Sequence, residues 1–213
     1  VSKRHHKVLP VPERLICKMK IHRIIPMTRA EGPGMRMAVW TQGCSRHCKG
    51  CFAKDTWDSN GGTEVSLMEL FQQVLNVCCK IDGLTILGGE PFEQSEEVAQ
   101  LAKFAQQQGL GVITFTGLIY EQLMVDGNPY VKMLLQHTDL LIDGEFQIDN
   151  PETQRPLVGS SNQRFHYLSG RYCPEQILAY KNRFEFRVLS DGSLSVNGMG
   201  DLATLKNILK EFS

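Results

Sequence analysis

"MRMAVWTQGCSRHCKGC", residues 35–51, runs from an apolar strand pattern straight into a polar, glycine-containing segment that holds Cys44, Cys48 and Cys51. Ligands of open α/β sheets gather beyond the carboxyl ends of the strands. The fold therefore turns on whether strands and helices alternate around this segment, and they do. "IHRII" (21–25), "GLTILGG" (83–89), "LGVITFT" (110–116) and "DLLID" (139–143) read as further strands. "SLMELFQQVLNVCC" (66–79) repeats its apolar residues at helical spacing, with Ser66 and Glu69 forming a capping box. "SEEVAQLAKFAQQQG" (95–109) is a second amphipathic helix stopped by Gly109, and "YEQLMV" and "YVKMLLQH" give shorter helical stretches before the last strand. Regular alternation predicts an α/β fold with a mainly parallel sheet and helical crossovers.

The rhythm breaks near the C-terminus. "FEFRVLS" and "SLSVNG" flank Asp191-Gly192, a hairpin signal, and "LATLKNILKEF" reads as a closing helix. At the other end, "VSKRHHKVLPVPERLICK" is basic, proline-containing and without sustained periodicity, so it reads as an arm. Met19 is a candidate natural start. The expected organisation is an arm over 1–18, a core domain over 19–168 and an extension over 169–213.

Composition narrows the function classes. The 213 residues carry 23 basic and 23 acidic side chains, which gives no electrostatic reason to expect nucleic acid or an anionic membrane surface as a partner. No run approaches the roughly 18 consecutive apolar residues of a membrane span, and no secretory signal follows the basic start, so a cytoplasmic protein is expected. Seven cysteines, three of them clustered, favour metal ligation in a reducing compartment over a disulfide framework. Cys17, Cys78, Cys79 and Cys173 read as ordinary thiols.

Cys44, Cys48 and Cys51 follow the spacing C-x-x-x-C-x-x-C, with no second C-x-x-C pair to close a structural zinc site. Three thiolates on a 4Fe-4S cluster leave one iron open to a ligand. Zinc completed by His47 and idle thiols are the alternatives, though His47 adjoins Cys48 and is poorly placed to reach the same ion. The second candidate is "GGEPF" (88–92), at the end of a predicted strand. Glycines there admit close approach to backbone groups, and the Glu90 carboxylate can accept from an ammonium; a plain strand-to-helix turn is the alternative.

The cysteine run and the Gly-Gly-Glu-Pro segment together resemble the radical S-adenosylmethionine superfamily. The resemblance implies a partial (β/α)6-type barrel, a 4Fe-4S cluster held by Cys44, Cys48 and Cys51, and S-adenosylmethionine as the second cofactor. It places the methionyl amine at Gly88, Gly89 and Glu90, with Pro91 shaping the turn. Most members carry an aromatic residue before the third cysteine; here Gly50 stands there and Phe52 follows the cysteine, where it is assigned to cofactor binding. "TQGCSRHCKGCFAKDTWD", "TFTG", "LIDGEF" and "GSSNQR" are similar to the anaerobic ribonucleotide reductase activating group, whose pattern also has glycine before the third cysteine. This likeness covers roughly residues 19–168. It implies a glycyl-radical activase whose partner is a protein with a glycyl-radical loop, supplied with electrons by a flavodoxin or ferredoxin. A radical enzyme acting on a peptide or a small heterocycle such as a deazapurine precursor is the nearest rival. A zinc-stabilised, non-catalytic interaction module is the alternative of another class.

Other residues are assigned by position. Thr116 and Gly117 end one predicted strand and Asp143 and Gly144 the next, so Thr116 and Asp143 are expected at the same mouth as the cluster. Ser160, in the loop "GSSNQR" (159–164), is assigned to cofactor binding. Trp40 and Trp57 read as packing near the cluster loop, His166 as a surface or core histidine, and "EGPG" (31–34) as a structural turn that borders the opening.

Overall fold

The computed structural model describes residues 17–200 together with Leu205, Asn207, Ile208 and Lys210. The expected arm lies outside the described residues except for Cys17 and Lys18. Lys18 already belongs to the fold, opening strand β1 (Lys18–Thr28) and pairing with Ser66. The closing helix also falls largely outside, although its four described residues are helical.

Strands β2 (Arg36–Thr41), β4 (Gly83–Gly88), β5 (Gly111–Phe115) and β6 (Leu140–Asp143) form the parallel centre of a seven-stranded sheet. The edges are antiparallel: β1 pairs with β2, β3 (Thr63–Ser66) pairs with β1, and β7 (Arg164–Tyr167) pairs with β6. The full order is β3-β1-β2-β4-β5-β6-β7. The fold is thus mixed α/β with a parallel core.

Helix α1 (Leu67–Val77) begins at the expected capping box: Ser66 accepts from the Glu69 N–H, and the Glu69 side chain accepts in return from the Ser66 N–H. Two orphan N–H groups are satisfied at once. Its buried residues Leu67, Leu70, Phe71 and Val74 face the sheet, and Phe71 stacks on Phe104 of helix α2 (Ser95–Gln107) at 4.2 Å between ring centroids. Each such side chain withdrawn from water contributes about 1.5–3 kcal/mol. Helices α3 (Tyr120–Val125) and α4 (Pro129–Gln136) follow β5, and Leu134 joins the same apolar cluster as α1 and α2. Among the described residues no helix is long and apolar enough to cross a membrane.

Arg36 is fully buried near the start of the parallel strands. Its guanidinium donates to Thr85 Oγ1 (2.5 Å), the Leu84 carbonyl (2.6 Å), the Gly111 carbonyl (2.9 Å) and Tyr172 Oη (2.8 Å). It ties β2, β4 and β5 together at the end away from the cysteine loop. Past the sheet come the short helix α5 (Pro174–Leu178) and the expected hairpin, β8 (Phe184–Val188) with β9 (Leu194–Gly198), a separate two-stranded sheet. Gly192, with φ +83°, occupies the turn position that the sequence assigned to it.

Candidate metal centre and cofactor site

Four parallel strands end on one side of the molecule, and each passes directly into a segment of the site. The β2–β4 register pairs Thr41 with Gly88, so the cysteine loop and the Gly-Gly-Glu segment leave the sheet side by side. Their backbones are joined: the Gly89 N–H donates to the Thr41 carbonyl (2.9 Å) and the Glu90 N–H to the Gly43 carbonyl (2.8 Å). A Cβ on Gly89 would strike the Gly43 carbonyl oxygen, so this position admits only glycine without backbone movement. Gly88, at φ +85° against Trp40, is constrained in the same way.

The three cysteines line one cavity of about 470 Å³, together with Phe52, Gly88, Gly89, Glu90 and Thr116. A volume in this range holds a cofactor-sized molecule. Cys44 is tied by its N–H to the Trp57 carbonyl (3.2 Å), and the Cys51 N–H closes a turn onto the Cys48 carbonyl (3.1 Å). Burial pushes the Cys44 and Cys48 thiols up, so ligation there would release protons. Among the described residues no three His, Cys, Asp or Glu side chains converge to hold a single metal ion. A cubane does not require that convergence, because each thiolate binds its own iron.

Glu90 is 1 % exposed, and burial raises its carboxyl to about 7 despite three donors. Oε1 accepts from Thr116 Oγ1 (2.8 Å) and the Phe92 N–H (3.1 Å), and Oε2 from the Gly117 N–H (2.9 Å). Two oxygens offer about four acceptor positions, so one remains on Oε2. None of the ion pairs among the described residues involves Glu90. A buried carboxylate without a cation is costly, and an ammonium brought by a ligand would relieve that cost. The site therefore fits an amino-acid cofactor beside a thiolate-held cluster.

Gly50 explains the departure before the third cysteine. Its φ is +80°, and a Cβ there would sit 2.5 Å from Ile148 Cδ1. An aromatic side chain has neither the backbone conformation nor the room. Gly50→Ala should lower stability by about 1–3 kcal/mol, read as a shift in a denaturant midpoint; an unchanged midpoint would contradict this packing. Phe52, 73 % exposed, stands on the lip of the cavity with its ring 6.0 Å from that of Phe146.

Thr116 lines the cavity, donating to Glu90 and accepting from the Leu118 N–H (3.0 Å) as a loop cap. Pro91 opens the 3-10 turn Pro91–Gln94, for which Glu90 is the N-cap. Trp40 and Trp57 line the cavity, and Trp57 stacks on His47 at 4.7 Å.

Two assigned residues stand elsewhere. Asp143 is fully buried and does not line the cavity; it is held by Arg164 (2.5 Å), His166 Nε2 (3.1 Å) and the Tyr120 N–H (2.7 Å). These contacts hold its carboxyl below the usual range and use it to anchor β7 and α3. Ser160 is likewise buried, accepting from the Gln147 N–H (3.1 Å), while its neighbours Gly159 and Gln163 reach the cavity instead. His166, expected as a surface or core histidine, is half-buried on β7 and stacks on Tyr120 at 4.4 Å between ring centroids, outside the cavity. Sequence reasoning did not single out Arg23, Asn197 or Gly198, which complete the far wall with Glu31. The only signal for that wall lay in "EGPG".

Residues 30–166 match the family described as the 4Fe-4S single cluster domain. The chain belongs to that family. A relative from Enterobacteria phage T4, the anaerobic ribonucleoside-triphosphate reductase-activating protein, is 30% identical over 157 residues, covering 68% of this chain and 92% of its own. The protein of the same description from Escherichia coli (strain K12) is 27% identical, covering 70% of this chain and 99% of its own. Pyruvate formate-lyase 1-activating enzyme of Escherichia coli (strain K12) is 31% identical over 149 residues, 68% of this chain. The matched part spans 58% of the length of that relative. Family and relatives place the chain among the radical S-adenosylmethionine proteins, whose cofactors are a 4Fe-4S cluster and S-adenosylmethionine.

Proposed function

We propose that this protein is a glycyl-radical activase of the anaerobic ribonucleotide reductase activating type. One observation carries the reading: three thiols spaced C-x-x-x-C-x-x-C and a buried, cation-free Glu90 line the same cavity at the carboxyl ends of parallel strands. When bound, a 4Fe-4S cluster would supply one-electron reduction of the S-adenosylmethionine sulfonium, the chemistry that makes hydrogen-atom abstraction from a substrate accessible.

Cys44, Cys48 and Cys51 hold the cluster. Glu90 receives the methionyl ammonium and keeps its orientation through Thr116 and Gly117. Gly88 and Gly89 let the backbone approach the cofactor, Pro91 fixes the turn, and Phe52 covers the cofactor from the lip. Trp40 and Phe115 supply apolar wall that limits water. Core and extension are divided at residue 168, the core being a partial (β/α)6-type barrel. The hydrogen donor is a loop of a partner protein, and a reduced flavodoxin or ferredoxin in the cytoplasm is the electron source.

The test is incubation of anaerobically reduced protein with S-adenosylmethionine and candidate glycyl-radical proteins deuterated at glycine. Deuterium is expected in the deoxyadenosine. Deoxyadenosine that stays unlabelled with every protein candidate, but gains label from a small heterocycle, would overturn the activase reading.

A further inference from the structure

The hairpin lies beyond the residues that match the family, yet Val196, Asn197, Gly198 and Met199 form a wall of the cavity that holds the cysteines. No residue of β8 or β9 belongs to any of the buried apolar clusters, and Asn197 is the one buried residue in the two strands. Polar contacts hold the hairpin. Glu185 accepts from Thr28 Oγ1 (2.7 Å) and the Arg29 N–H (2.7 Å). Asn197 Nδ2 donates to Glu31 Oε1 (2.8 Å) and Thr28 Oγ1 (3.1 Å), and Arg23 donates to the Val196 carbonyl (3.0 Å). An element with no fully buried apolar side chain, held largely by polar contacts, opens at low free-energy cost compared with the core.

What β9 presents to the wall is informative. A backbone carbonyl faces Arg23, the Asn197 side-chain amide donates to the buried Glu31, and Gly198, at φ +103°, packs where a Cβ would come within 2.7 Å of Ala30 Cβ on the facing wall. The groove thus already accepts an extended, glycine-bearing segment. We infer that β9 occupies the groove that the partner's glycine-bearing loop takes, so that the hairpin is an internal cap which the partner displaces. The inference rests on the activase reading. Its partner chemistry is an extended peptide with a carbonyl for Arg23, an N–H donor for Glu31 and a glycine between the two walls.

The test uses the full chain and two probes, the peptide SLSVNGMG, which copies residues 193–200, and the same peptide with alanine for its first glycine. Asn197→Ala should speed hydrogen exchange of the β8 and β9 amides at least tenfold while α1 and α2 stay protected. The opened variant should bind the glycine peptide at least tenfold more tightly than the parent does, and the alanine peptide at least tenfold less tightly than the glycine one. Glu185→Gln, which weakens the other attachment, should shift both readouts in the same direction and guards against misfolding of the first variant. Unchanged hairpin exchange in both variants, or opened protein that binds neither peptide, would overturn the proposal. Deoxyadenosine formation by the reconstituted parent is scored separately, so failure of the activase reading is distinguishable from failure of the cap.

Discussion

Cys48→Ala should leave a folded chain that retains less than about a tenth of the parent's iron and forms no deoxyadenosine. Cys48 is the most buried of the three cysteines, and its carbonyl, which accepts the Cys51 N–H, survives the substitution, so the loop keeps its turn. What disappears is one of three thiolates, and two cannot hold a cubane against exchange with solvent. Cys173→Ala is the control, a thiol at the N-cap of α5 outside the cavity, and should keep the full iron content. Iron and sulfide analysis with a deoxyadenosine assay checks both. Persistent cofactor cleavage in Cys48→Ala would remove Cys48 from the ligand set.

Glu90→Gln should weaken S-adenosylmethionine binding at least tenfold and flatten the pH dependence of stability in the cluster-free chain. Burial raises the Glu90 carboxyl from 4.5 to about 7. Between those values the folded state holds a proton that the unfolded state has lost, so stability is greatest below pH 4.5 and falls as pH rises to 7. The loss amounts to at most about 3 kcal/mol for one carboxyl. Glu31, also raised to about 7 by burial, adds a similar slope, so the variant should show a shallower decline than the parent rather than none. Glu121 and Glu152, held at about 2, act only at lower pH; Glu97, raised by burial, adds to the decline and His137, lowered by burial, opposes it, but both act in parent and variant alike, so the difference between the two slopes isolates Glu90. Denaturant unfolding between pH 5 and 8 measures it; identical slopes in parent and variant would show that Glu90 is not the buried titrating group.

The parts of this molecule legible in sequence are those whose physics is local. The capping box at Ser66, the glycine stop after α2, the hairpin at Asp191-Gly192 and the passage from β2 into the cysteine run each depend on a few adjacent residues. Strands β3 and β7 went unread because "TEVS" and "RFHY" are four residues long, too short for periodicity to register, and their pairing partners lie far away in the chain. Those two strands, with β1, give the sheet its antiparallel edges. The cofactor assignments divided on the same ground. Glu90 and Thr116 follow strands whose ends face the cavity, whereas Asp143, though it also ends a strand, is claimed by Arg164 from β7, a strand that the pattern did not disclose. The far wall depends on Asn197 meeting Glu31 across 166 positions, a contact with no signature in either segment.

The most direct measurement is the iron, acid-labile sulfide and zinc content of the full chain after anaerobic reconstitution, followed by its electronic spectrum on adding S-adenosylmethionine. An iron-sulfur site held by three thiolates predicts a brown protein with about four iron and four sulfide per chain and a spectrum that changes as the cofactor takes the open iron. A colourless protein carrying zinc, or a cluster whose spectrum ignores the cofactor, would contradict it.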